Sequence, residues 1–112
     1  MAETFLILDQ TVPAAATLTD AYTVPAATSA VVSSIVVCNW STTATSFRIT
    51  AAPAGAADAT SHRLYWDVPI PGSADGSPFT ATIGATLATT DVIRVYATLA
   101  TLTFTVFGSQ VT

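Results

Sequence analysis

Alternation of apolar and hydroxyl side chains with a period of two residues is the feature that most limits how this chain can fold. Between residues 102 and 107, Leu102, Phe104 and Val106 alternate with threonines. Because every second side chain of a β-strand lies on the same face, this segment predicts a strand with one apolar face. Similar segments rich in Val, Ile and Thr recur along the chain, and helix formers other than alanine are scarce. We therefore expect an all-β fold.

Breaks in this alternation divide the chain into about eight strands. Prolines, glycines and short polar segments separate them at the spacing typical of a sandwich. The predicted strands are 4–9, 17–24, 30–40, 45–51, 61–68, 79–83, 91–97 and 102–107. We predict a single antiparallel β-sandwich domain over residues 1–112, with a jelly-roll or an immunoglobulin-like order of strands.

Two connecting segments carry specific signals. Asp75 followed by Gly76 predicts a tight hairpin turn over residues 74–77. Residues 51–60 are rich in alanine but contain Pro53 and Gly55, so we expect a loop there and not a helix.

The predicted strand 61–68 differs from the others in having apolar side chains on both faces. Strict alternation places His62, Leu64, Trp66 and Val68 on one face and Arg63, Tyr65 and Asp67 on the other. This distribution predicts that the strand meets a second surface outside its own core.

Charge is scarce, which limits the partners that we expect. Charged residues make up 9% of the chain and hydrophobic residues 51%, and there is no lysine to protect an exposed sheet edge. We expect an oligomer or a larger assembly to cover much of the surface. A net charge of -4 argues against a nucleic-acid partner, since no basic patch exists to bind phosphates. The apolar runs are far shorter than the roughly 20 residues of a membrane helix, so we expect no membrane role.

The inventory of reactive side chains is too small to predict an enzyme. Cys38 is the single cysteine, which suits a reducing cytoplasm, and its apolar neighbours predict a small buried side chain. His62 is the single histidine, and we expect a polar strand residue at a surface or interface. The seven carboxylates are scattered singly, as turn residues are. We predict no catalytic residues, no metal site and no cofactor.

Arginines and aromatic residues are the favoured anchors of protein interfaces, and five of them are candidates here. The candidate interface residues are Arg48, Arg63, Tyr65, Trp66 and Arg94. An alternative interpretation takes Trp40, Tyr65 and Trp66 as a platform for a sugar ring.

Seven short segments between residues 17 and 110 share their order with a known family. They are AYTVPA at 21–26, AVVSSIVVCN at 30–39, TSFRI at 45–49, PAG at 53–55, DVPIP at 67–71, LATTDVI at 87–93 and FGS at 107–109. These segments resemble the small β-sandwich structural proteins of tailed bacteriophages. Basic residues that such proteins often carry near the loop are absent here.

The resemblance implies a virion protein that is assembled in the host cytoplasm. The role it implies is a head decoration or cement protein, a homotrimer that stabilises the capsid lattice through multivalent contacts with the major capsid protein or other virion proteins. The alternative is a tail fibre, baseplate or neck component, which could also bind carbohydrate. A lysine-free, charge-poor sandwich suits a position between other proteins of a particle.

Overall fold

The computed structural model describes residues 2–73 and 79–112, and this part of the chain contains eight strands. The strands are β1 (Glu3–Thr11), β2 (Thr19–Thr23), β3 (Ser29–Asn39), β4 (Thr45–Ala52), β5 (Arg63–Ile70), β6 (Phe79–Leu87), β7 (Val92–Ala97) and β8 (Leu102–Val111). Each overlaps a predicted strand, so the all-β fold class is confirmed. The hairpin turn predicted at Asp75 and Gly76 lies outside the described residues.

The strands form two four-stranded sheets. Sheet 1 has the order β1-β8-β3-β6 and sheet 2 the order β2-β7-β4-β5, with every neighbouring pair antiparallel. The first four strands therefore pair with the last four in reverse order, as in one long hairpin rolled into two sheets. This is the jelly-roll arrangement, and it excludes the immunoglobulin-like order that the sequence left open.

The inward faces of both sheets form one apolar core. Phe47 of sheet 2 contacts Phe79 and Phe104 of sheet 1, with ring centroids 5.0 and 6.0 Å apart. Tilted and edge-to-face pairs of this kind add about 0.5–1.5 kcal/mol each beyond the burial of the rings. Leu102, Phe104 and Val106 are fully buried, as the alternation in this segment predicts.

The alanine-rich segment after β4 is a loop, as predicted, with a short 3-10 turn at Pro53–Gly55. The Asp91 carboxylate accepts hydrogen bonds from the backbone N–H groups of Ala54 and Ala88, each at 2.9 Å. Asp91 thus ties this loop to the turn between β6 and β7, which is the turn role expected of the carboxylates. No helix in the described part of the chain is long and apolar enough to cross a membrane.

The predictions for Cys38 and His62 are wrong. Cys38 is exposed because its neighbours Val37 and Asn39 point into the core, and alternation along β3 then turns Cys38 outward. His62 is only 9% exposed and lies in the 3-10 turn Thr60–His62 before β5, not in a strand. Its Nδ1 atom has no hydrogen-bond partner among the described residues.

Strand β5 does not alternate strictly, because it contains two irregularities in its pairing with β4. Phe47 pairs with Val68, and Ile49 pairs with Tyr65. Arg48 is therefore opposite two residues of β5, Trp66 and Asp67. The second irregularity leaves Leu64 as the extra residue. Each β-bulge adds one residue and changes which face the next side chain occupies.

The bulges overturn the predicted faces of this strand. Tyr65 and Val68 both pack against the core, whereas Arg63 and Trp66 contact each other on the outer side of sheet 2. Asp67 adopts the left-handed conformation with φ 51°, which Asp tolerates better than most residues. Trp66 therefore does not share a face with Val68, nor Arg63 with Tyr65.

Candidate functional site

The outer face of sheet 2 carries four of the five predicted interface residues. Strand pairing places Arg48 opposite Tyr96, and places both Arg63 and Arg94 opposite Thr50. Trp66 is added to this face by the bulge opposite Arg48. The structure thus brings three arginines and two aromatic rings onto one surface.

Trp66 lies between two guanidinium groups, and we call Arg48, Arg63 and Trp66 the arginine–tryptophan cluster. The guanidinium carbon of Arg63 is 3.5 Å from the centroid of the Trp66 ring, and that of Arg48 is 4.0 Å away. Two guanidinium groups this close to the ring centroid would overlap if both lay on the same side of the Trp66 ring. They therefore lie on opposite faces of the ring. Each cation–π contact at an exposed site contributes about 0.5–1 kcal/mol.

The bulged residue Asp67 fixes the position of Arg48. The Asp67 Oδ1 atom accepts a hydrogen bond from Arg48 Nε at 2.6 Å, and Arg48 also lies 4.3 Å from the centroid of the Tyr96 ring. The hydrogen bond to this carboxylate raises the pKa of the Arg48 guanidinium, which is charged in any case at physiological pH. Both partners are partly exposed, so the ion pair orders the surface more than it stabilises the fold.

Arg94 is engaged within the chain. Its Nε atom donates to Asp20 Oδ1 at 2.8 Å, and its other two nitrogens donate to the carbonyl oxygens of Ala56 and Gly55 at 2.7 and 3.2 Å. These bonds hold the loop after β4 against sheet 2. Arg94 therefore positions this surface and has few donors left for a partner.

The aromatic residues proposed as a sugar platform do not lie together. Tyr65 packs toward the core with its ring edge-on to Phe79, at a centroid distance of 5.7 Å. Trp66 is covered on both faces by arginines, and Trp40 is 56% exposed beyond the end of β3 in the other sheet. Neither Tyr65 nor Trp40 therefore lies beside Trp66 on the outer face of sheet 2.

A second surface, which the sequence analysis missed, lies along the edge strand β1. Phe5 is 79% exposed and Ile7 51% exposed. In the register of sheet 1, Ser109 lies between Phe5 on one side and Val31 on the other. The small Ser109 leaves a groove of about 290 Å³ between its larger neighbours, and we call it the β1 groove. It is lined by Glu3, Phe5, Val31, Ser33, Gly108 and Ser109.

The groove depends on small residues in β8 and on one carboxylate. A Cβ atom at Gly108 would lie 2.0 Å from the carbonyl oxygen of Val31, so only glycine fits there. Ser109 Oγ donates to Glu3 Oε2 at 3.2 Å and holds that carboxylate in the groove. The sequence signal for this surface is the run FLIL at residues 5–8, which is apolar on both faces of the strand.

The described residues contain no group of three or more His, Cys, Asp or Glu side chains that could hold a metal ion. Comparison with protein-family models, with curated proteins and with solved structures finds no match to this chain. The jelly roll, the arginine–tryptophan cluster and the β1 groove are therefore the features from which a function is inferred.

Proposed function

We propose that this protein is a structural component of a tailed-bacteriophage particle, a head decoration protein that docks on assembled major capsid subunits and stabilises the shell. The observation that carries the proposal is the apolar surface along β1, where Phe5 and Ile7 are exposed on a strand without lysine. Natural proteins protect sheet edges with charge, so an edge left apolar marks a surface that another protein covers.

The distribution of polar groups supports binding over catalysis. The carboxylates of Asp20, Asp67 and Asp91 are used in contacts that hold loops and arginines in place. The single histidine, His62, is buried and does not line the β1 groove. A catalytic site needs a titratable group poised beside a partner in an accessible cleft, and a rigid binding module needs none.

The proposed mechanism is multivalent attachment. The arginine–tryptophan cluster and the β1 groove lie on different sheets, so one copy can contact two neighbouring proteins at once. Contacts that are weak singly become strong when a closed oligomer repeats them on a lattice. The resemblance of residues 17–110 to tailed-phage structural proteins supports the same role.

The proposal predicts that the purified protein raises the melting temperature of expanded empty shells made without it. The Ile7→Ser variant should sediment with shells less than wild type, because it removes an exposed apolar side chain of β1 that lies outside the β1 groove. Leu99→Ser is the matched control, since Leu99 is an exposed apolar residue outside both surfaces. Shells whose melting temperature is unchanged at saturating protein would contradict the proposal.

A further inference from the structure

Within the described part of the chain, the Glu3 carboxylate in the β1 groove has no cation beside it. Glu3 accepts a hydrogen bond from Ser109, but no basic nitrogen among the described residues lies within 4.0 Å of it. Phe5 and Val31 form the apolar walls. Apolar walls with a carboxylate among them are complementary to a long side chain with an apolar stem and a cationic head, which is lysine or arginine.

The chain itself carries one side chain that fits this description, Arg63. There is no lysine, and Arg48 and Arg94 are paired with Asp67 and Asp20. Arg63 is exposed and, within the described part of the chain, pairs with no carboxylate. Its guanidinium is stacked on Trp66, which limits its rotamers and leaves the N–H groups in its plane free to donate.

The apolar surroundings of Arg63 match those of the groove. Leu64, which follows it, is 45% exposed because the bulge turns it out of the regular pairing. An exposed leucine beside a cation on β5 is complementary to an exposed phenylalanine beside a carboxylate on β1. Both the charges and the apolar side chains would therefore be paired if the two strands met.

The two surfaces cannot meet within one molecule. Strand β1 packs near β2, whereas β5 packs near β6 through the contact of Tyr65 with Phe79. The β1 groove lies over β1, β8 and β3 on the outer face of sheet 1, whereas Arg63 lies on the outer face of sheet 2, so the two surfaces are on opposite sides of the sandwich. A contact between them joins different copies through two different surfaces, so it repeats into a closed ring or a filament.

We infer that Arg63 of one copy enters the β1 groove of a second copy and pairs with its Glu3, which joins copies head to tail. The contact area is small, so association in solution is weak and becomes strong only when copies are held on a common surface. This contact assigns the β1 groove to a second copy, which leaves Ile7 and the rest of the exposed apolar surface of β1 outside the groove for the proposed contact with the capsid. Shell binding can fail while self-association holds, and the reverse.

The test is sedimentation velocity of the full chain from micromolar to millimolar concentration, using Glu3→Arg, Arg63→Glu and the double variant. Each single variant should weaken association by about tenfold or more, because like charges then face each other in the contact. The double variant should associate as wild type does, because the acidic and the basic side chain have changed places and still form a pair of opposite charges. Gln10→Arg, on the same strand beyond the irregularity at Leu8, is the control and should associate as wild type does.

Mixing the two single variants tests whether Arg63 of one copy meets Glu3 of another. Glu3→Arg retains Arg63, and Arg63→Glu retains the acidic groove, so unlike charges meet in an equimolar mixture and like charges meet in each variant alone. A reciprocal contact would stop at the dimer, so wild-type species larger than a dimer establish that the contact is head to tail. We expect the mixture to associate more strongly than either component. A wild-type protein that stays monomeric, single variants that associate normally, or a mixture that behaves as the sum of its parts would each overturn the inference. Circular dichroism of every variant establishes that it is folded.

Discussion

Two glycines of sheet 1, Gly108 and Gly84, differ in why a larger residue cannot replace them without cost. At Gly108 a side chain would collide with the backbone of β3, because a Cβ atom would lie 2.0 Å from the carbonyl oxygen of Val31. At Gly84 the φ angle is 61°, but no heavy atom lies within 4 Å of the position of a Cβ atom. Gly108 is therefore required because the backbone of β3 leaves no room for a side chain, and Gly84 because of its backbone conformation alone.

This difference predicts unequal costs for the same substitution. Gly108→Ala should lower the free energy of unfolding by about 3 kcal/mol or more, because the clash is with backbone and cannot be relieved by a rotamer change. Gly84→Ala should cost about 1–2 kcal/mol, the penalty for an L-residue in the left-handed region. Urea denaturation of both variants measures the two values. Equal costs, or a larger cost at Gly84, would contradict the packing described for β8.

The exposure of Cys38 could not be predicted from its neighbours in the sequence. Its apolar neighbours predicted burial, yet the face of a strand residue is set by register and not by the polarity of adjacent residues. The ends of two strands were also predicted too early, each at the residue before a glycine. Gly108 and Gly84 follow the predicted ends of two strands, but β8 and β6 continue through them to Val111 and Leu87.

At the level of strands, regular alternation could be predicted and irregular pairing could not. All eight strands follow from local patterns, because period-two alternation needs no knowledge of a partner strand. The two irregularities in β5 depend on how β4 pairs with it, so the sequence placed Tyr65 and Trp66 wrongly relative to Val68 and Arg63. The members of the arginine–tryptophan cluster were among the five candidate interface residues, but their contacts with one another came only from the fold.

The cluster predicts that Trp66 is shielded from solvent by its two arginines. In a Trp40→Phe background, which leaves Trp66 as the remaining tryptophan, Arg63→Ala should increase quenching of the fluorescence by acrylamide. The same change should lower the free energy of unfolding by about 0.5–1 kcal/mol, the value of one exposed cation–π contact. Thr80→Ala, at an exposed position of β6, should alter neither measurement. Quenching that is equal with and without Arg63 would contradict the stacked arrangement.

For the whole molecule, the jelly roll keeps two unlike surfaces at fixed positions on a rigid support. The core is apolar and continuous between the sheets, while the outer surfaces carry few charges and no lysine. Burial of the exposed apolar side chains of β1 against a partner would be favourable, as the proposed function requires. The fold class was predictable from composition and alternation. The β1 groove was not, since it forms only when β1, β8 and β3 lie side by side.

The central claim is that the protein is part of the head of a tailed-phage particle, and its location in that particle tests the claim most directly. The measurement is immunogold electron microscopy of intact virions with an antibody raised against this chain, compared with virions from a phage in which the gene is deleted. The proposal predicts label spread over the head and none on the deletion particles. Label confined to the tail, or intact virions that carry no label, would contradict it.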